Sequence, residues 1–316
     1  MNRRAFLRVF SALVAVGYFR PALAAEMVTG HSDVSNFKSV YGDEEQKAQF
    51  LLFLKNVYTL YPPDKFHEMI ADVTAKNDTD EAIYKALQKR IPQIRTTLSP
   101  LTRDLPSLEH QKNEMEAQVA TLLAGVKHAD GYMEIGTPGR YVHAVKEDLH
   151  VTGQIYLLHT ERPQLFSFTD IAERGQFMRI GKYVDMGNYK KIAAEDVPDD
   201  SLDLITNFIG FHHAPPAARD AFIASVAKKL RPGGRLILRD HNVDSDKMRF
   251  LVSLAHDVFN AGLNTPWDIN AHEIRNFTTV AQIQERMHHF GLKSEGKGLL
   301  QKGDPTQNTL MLFVKA

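Results

Sequence analysis

No cysteine occurs among the 316 residues. Disulfides, thiolate metal sites and cysteine nucleophiles are thereby excluded together. An excess of charge is also lacking. Lys+Arg and Asp+Glu are each 38, so the formal net charge is zero and no global basic field draws nucleic acid. The expected partner is a small molecule rather than a nucleic acid. Internal repeats and low-complexity tracts are missing. Past the N-terminus no apolar run approaches the ~20 residues of a membrane span. What remains is a globular composition, 43% hydrophobic and 24% charged, in a chain long enough for one large domain and a smaller one.

The N-terminus departs from that composition. Met1 to Arg8 carries Arg3, Arg4 and Arg8 and no acid, Val9 to Phe19 is mostly apolar, and Ala22-Leu23-Ala24 offers small residues before Ala25. Charged, apolar and small-residue regions in that order describe a secretory signal over residues 1–24. An uncleaved amphipathic helix is the competing reading. Asn2 to Arg8 resembles a bacterial twin-arginine signal, whose pathway carries folded proteins. That resemblance implies a periplasmic or exported mature chain, tethered to the membrane if uncleaved, and transient contact with an export machinery. A chain without thiols agrees with export but is weak support for it.

Residues 25–106 read as a small helical region. Ala25 to Gly42 is irregular. A helix follows from Asp43 to Leu60, stopped by Pro62 and Pro63, and a second covers Asp64 to Lys76. Asp78 with Glu81 has the spacing of a capping box and opens a third. Thr96 to Pro106 is the expected hinge. From Ser107 to the C-terminus helices and strands alternate. Strands are expected at 132–135, 154–158, 182–186, 202–205 and 235–238. Helices are expected at 108–123, 139–149, 168–174, 217–230 and 279–290. Alternation of this kind argues for an α/β fold with a parallel sheet covered by helices on both faces. The last two strands, 293–300 and 309–314, are joined by a loop too short to cross over and must be antiparallel.

In such a sheet ligands sit beyond the carboxyl ends of the strands, so each strand end is a candidate site. The first runs into Glu134-Ile135-Gly136-Thr137-Pro138-Gly139, where glycines permit close backbone approach and a helix start presents N–H groups. The second runs into His159 and Glu161. Glu161 lies 22 residues after Gly139, near the ~20-residue offset of a ribose-binding acid. The third ends in Asp185-Met186-Gly187-Asn188, the fourth in Asn207-Phe208 with His212-His213 beyond, and the fifth in Arg239-Asp240-His241.

Taken in order, residues from about Leu108 resemble a class I S-adenosylmethionine-dependent methyltransferase. The matching pieces are the Glu-x-Gly-x-x-Gly loop at 134–139, Pro-Asp-Asp-Ser-Leu-Asp-Leu-Ile at 198–205, His212-His213, Leu-Arg-Pro-Gly-Gly-Arg-Leu at 230–236 and the final antiparallel pair. The resemblance implies a Rossmann-like doubly wound sheet over 107–316 and S-adenosyl-L-methionine as cofactor. It also implies roles. Glu134, Gly136 and Gly139 would cradle the methionine part and Glu161 would meet the ribose. Asp185 or Asn188 would meet the adenine, and Asn207 and Phe208 would lie under the sulfonium. Three departures stand out: Pro138 stiffens the loop, His159 competes with Glu161, and Asn188 stands where an Asp is usual.

Methyl transfer needs two positioned reactants and exclusion of water, with no covalent nucleophile. The expected reaction is therefore methyl transfer to a small organic acceptor. His212, His213 and His241 are candidate bases, since imidazole titrates near neutral pH. Each also reads as a strand-end side chain that merely packs or bonds to backbone. Asp240 reads as a capping or solvated acid before a metal ligand, and no metal site is expected, because the histidines lack ligand spacing. His67-Glu68 and His272-Glu273 lack the second His of a zinc protease, and Gly175 to Lys182 has the wrong glycine spacing for a phosphate loop. Two alternatives remain: an exported non-enzymatic protein of methyltransferase-like fold, and an NAD(P)-dependent oxidoreductase. The oxidoreductase leaves both Glu134 and the antiparallel end pair unexplained.

Overall fold

In the computed structural model of the protein the described residues are 34–95, 105–162 and 181–316. The expected signal, nearly all of the expected hinge and the helix expected at 168–174 lie outside them. Seven strands form one sheet in the order β3-β2-β1-β4-β5-β7-β6. They are β1 His128–Ile135, β2 His150–His159, β3 Lys182–Asp185, β4 Leu202–Asn207, β5 Leu230–His241, β6 Leu292–Leu300 and β7 Asn308–Lys315. The first five are mutually parallel, while β7 runs antiparallel to both β5 and β6. The chain fills one half of the sheet outward from β1 and returns to β4 on the other side of β1, so a switch point lies between β1 and β4. This is a Rossmann-like doubly wound sheet with an antiparallel C-terminal pair.

Strands β1 and β4, in the middle of the sheet, are buried on both faces along most of their length, as strands of a helix-covered parallel sheet are. Side chains alternate between two cores. Met133, Ile135, Leu158, Ile205, Leu236 and Leu238 join one. Tyr132, Leu157, Leu204 and Ile237 join the other. Helices α5 (Leu105–Leu122) and α6 (Val142–Asp148) cover the second face, through Met115, Val119, Val142 and Val145. Helices α7 (Pro216–Lys229) and α10 (Val280–His289) cover the first, through Phe222, Ile223, Ile283 and Met287.

The N-terminal helices are α1 Asn36–Tyr41, α2 Glu44–Asn56, α3 Pro63–Lys76 and α4 Asp80–Arg90. They share a third core with α8 (Asp246–Gly262) and the short α9 (Trp267–Ala271), in which Phe37, Phe50, Leu54, Phe66 and Leu87 meet Leu251, Leu254 and Val258, with Trp267 packed against it. Helix α1 forms where irregular chain is expected. Six residues cannot hold a helix by propensity, and the support is tertiary. Asp80 accepts from Ser35 and from the Asn36 amide, and Asn36 donates to Asp257 at 2.9 Å. The cap of α4 is Thr79, which accepts from the Ala82 amide, rather than Asp78, which pairs with Lys38 at 3.1 Å. Strand β5 begins earlier than expected. Leu230 pairs with Leu202 and Arg235 with Leu204, so the Pro-Gly-Gly stretch bulges out of a continuing strand. Among the described residues no helix is long and apolar enough to cross a membrane.

Candidate functional site

The glycine loop follows β1. Glu134 at the strand end is fully buried. Its carboxylate accepts from Thr137, from the amides of Gly139 and Tyr141 at 3.1 Å each, and from the Tyr132 hydroxyl at 3.3 Å. Burial lifts its pKa to about 7, against the pull of these donors. The acid thus holds the loop's own shape. Gly136 has φ +87°, and a Cβ there would come within 2.2 Å of Ile209 Cδ1. The left-handed backbone favours glycine here whatever ligand the loop takes, and an added Cβ would also press on the Ile209 side chain. Gly139, at φ +102°, has only ordinary contacts around it, the nearest to Leu157 at 3.5 Å. Helix α6 starts at Val142 rather than at Gly139.

At the ends of β2 and β3 Glu161, Asp185 and Asn188 are exposed, and His159 is not. His159 is buried and its Nδ1 meets the Glu161 carbonyl at 2.8 Å, while the Glu161 side chain is exposed. Register places His159 beside Asp185. Asp185 accepts from the Gly187 amide and pairs with Lys190, both at 2.9 Å, and these contacts hold its pKa below the usual range. Asn188 is exposed in the same turn.

The ends of β4 and β5 are buried and titratable. Register aligns Asn207 with Leu238, so the segment after Asn207 lies against Arg239-Asp240-His241. Asn207 is fully buried and engaged in its own turn, accepting from the Ile209 amide and donating to the Gly210 carbonyl, both at 3.2 Å. Asp240 accepts from His212 Nδ1 at 2.6 Å and from the amides of Phe211 and His241 at 2.9 Å. Gly210 is the residue that permits this. At φ +78° its added Cβ would lie 2.6 Å from His212 Nδ1 and 2.8 Å from Asp240. His241 Nδ1 meets the Thr306 carbonyl at 3.0 Å and His213 Nδ1 the Ile274 carbonyl at 3.1 Å. Burial lowers the pKa of His212 and His241 and raises that of Asp240, so the imidazoles are held neutral.

A cavity of about 150 Å³ opens over these strand ends. It is lined by the loop residues Thr137, Arg140 and Tyr141, by Phe208, and by His212, His213 and His241. Phe208 packs edge-to-face on Tyr141 at 4.7 Å. Of the site residues named from sequence, the structure therefore brings the three histidines and Phe208 to one cavity. Glu161, Asp185 and Asn188 lie exposed at the ends of β2 and β3, and the hydrogen bonds of Glu134 and Asn207 are made to their own strand-end turns and, for Glu134, to Tyr132.

No family model and no curated protein matches the chain. Among solved structures it is similar to the pyocyanin biosynthetic protein PhzM, at 12% identity and a TM-score of 0.48 over 92% of this chain and 77% of that one. It is similar to the 1,6-didemethyltoxoflavin-N1-methyltransferase of Burkholderia thailandensis, solved with 1,6-didemethyltoxoflavin and S-adenosylhomocysteine. There the identity is 14% and the TM-score 0.44, over 67% and 82% of the two chains. PigF with SAH stands at 13% identity and a TM-score of 0.44, over 84% and 72%. Likeness at this level concerns the fold, and function has to be argued from the site.

The sequence reading missed two parts of that site. His256, on α8, lines the cavity, with its ring 5.4 Å from His212 and 5.6 Å from His241. Arg275 forms a buried cluster behind it, at 2.8 Å from both Asp257 and Glu273. One signal was available: His256-Asp257 interrupts an otherwise apolar helix face, and polar groups on a buried face need partners.

Proposed function

We propose that the chain transfers a methyl group from S-adenosylmethionine to a small organic acceptor held in the histidine-lined cavity. The observation that carries this reading is the continuity of that cavity. Its one wall is the glycine loop after β1, at the switch point, and its other is the histidine set after β4 and β5. The exposed acid Glu161 and the Asp185–Asn188 turn supply the polar edge that a ribose and an adenine require. When bound, the cofactor supplies an activated methyl on a sulfonium. The chain's own residues position and dry the site. Phe53, Tyr58, Phe208 and Phe259 line the cavity and suit a flat apolar acceptor with few polar groups. His213, which lines the cavity, is the candidate proton acceptor of this reading. The Ile274 carbonyl takes its Nδ1–H, with Glu273 at 3.8 Å from the same nitrogen, which leaves Nε2 as the basic atom.

One observation favours a second reading. The Ile209 side chain crowds the Gly136 side of the loop, which suits an exported, non-enzymatic protein that keeps the fold without turnover. Export through the twin-arginine-like N-terminus is part of that proposal, since a methyl donor carried out with the folded chain serves one turnover. Calorimetric titration of the full chain with S-adenosylhomocysteine, and separately with NAD(P), decides among the readings. Binding of the homocysteine compound, weakened in Glu161→Ala, is expected. A folded chain that binds neither supports the second reading, and NAD(P) binding alone overturns both.

A further inference from the structure

Three of the cavity histidines come from three separate elements: His212 from the loop after β4, His241 from the end of β5 and His256 from the middle of α8. Each offers a ring nitrogen, and these lie within 4.8 Å of one another. Three atoms so placed share a point no more than about 2.8 Å from each, within an ångström of the ~2.0–2.1 Å of a zinc–imidazole bond. In every ring Nδ1 is already committed to an oxygen: Asp240 for His212 at 2.6 Å, the Thr306 carbonyl for His241 at 3.0 Å, and the Val252 carbonyl for His256 at 2.9 Å. That is the outer arrangement by which proteins fix the tautomer of metal-binding histidines, with Nε2 left as ligand. His212 Nε2 is buried and has no hydrogen-bond partner among the described residues. A buried polar nitrogen without a partner costs free energy unless something fills its place.

We propose that His212, His241 and His256 bind a divalent transition-metal ion of zinc's class through Nε2. Three neutral imidazoles suit zinc, copper, nickel or ferrous iron and do not suit magnesium or calcium, which take oxygen ligands. Three protein ligands leave a fourth position open to the cavity, as in catalytic rather than structural zinc sites. That position takes an oxygen donor such as a hydroxyl. Holding the acceptor's hydroxyl there would lower its pKa for attack. That use of the ion rests on the methyl-transfer reading, whereas binding of the ion does not.

The test uses the untagged full chain, stripped with a chelator and titrated with Zn(II) by calorimetry and with Co(II) by visible absorption. One ion per chain is expected. His256→Ala should weaken Zn(II) by roughly a hundredfold or more, and Asp240→Asn by about 10–100-fold through His212. His288→Ala, on the exposed face of α10, should leave the affinity unchanged. Circular dichroism of each variant separates lost binding from lost fold, and His256, on a helix surface facing the cavity, is the variant that decides. Substoichiometric binding to wild type, or an unchanged affinity in folded His256→Ala, overturns the proposal. A parallel titration with S-adenosylhomocysteine keeps the two readings apart. Metal loss with that binding intact removes the metal site alone.

Discussion

The two halves of the strand-end row differ in kind. Along the β2–β3 edge Glu161, Asp185 and Asn188 are exposed, and the contacts resolved for Asp185 are the ordinary ones of a turn and a surface ion pair. Over β4 and β5 the polar groups are buried, their pKa values are displaced by desolvation, and one imidazole nitrogen lacks a partner among the described residues. Surface pairs cost and contribute little, whereas buried polar groups survive only where the fold over-determines them. The β4–β5 end is therefore the buried, titratable half and the β2–β3 edge the exposed one, and the proposed function puts chemistry in the first and cofactor binding in the second.

The sharpest way to break this contrast is at the buried cluster behind the histidines. Arg275→Met leaves Asp257 and Glu273 buried without their cation. Stability should fall by about 3–5 kcal/mol, read by denaturant unfolding. A loss under 1 kcal/mol would mean that water reaches the cluster and that the two halves are alike.

Glu134, between the halves, tests burial through pH. The folded chain keeps a proton on this acid up to about pH 7, whereas the unfolded chain releases it near the ordinary value of 4.5. The raised pKa gives stability that is fully present below 4.5 and is lost as pH rises to about 7, on the order of 3 kcal/mol. Glu134→Gln should flatten that slope in unfolding measured from pH 4 to pH 8. An unchanged slope would show that the donors from Thr137, Gly139, Tyr141 and Tyr132 keep the acid ionised.

Gly210→Ala should cost about 1–3 kcal/mol, because its backbone lies in the left-handed region and its Cβ would meet the His212–Asp240 pair. The imidazole resonance of His212, followed by NMR, should shift with it. At the other half, Asp185→Ala should change stability by less than about 1 kcal/mol, since it breaks an exposed pair with Lys190. Its effect should instead appear in S-adenosylhomocysteine affinity. The opposite pattern, a stability loss without an affinity loss, would reduce the β2–β3 edge to structure.

Much of the sheet was legible because its signals are local. The run from Tyr132 to Gly139 reads as strand and turn on glycine and apolar content alone, and the short loop between β6 and β7 forces an antiparallel pair. Helix α1 was not legible, because its stability comes from Asp80 and Asp257, far away in the chain. The strand ends carrying the three histidines were legible, but the reason for their importance was not. At Gly136 an added Cβ would also meet Ile209, a contact no spacing reveals.

By itself the sequence determined the order of elements, the doubly wound class and the rows of strand-end candidates, since periodicity and turn chemistry act over a few residues. Tertiary structure alone decided which candidates share a cavity. His212, His241 and His256 meet because β4 and β5 pair in register and α8 folds back over their ends. Tautomer, burial and displaced pKa all follow from that meeting, because desolvation is a property of the packed environment rather than of any residue in it.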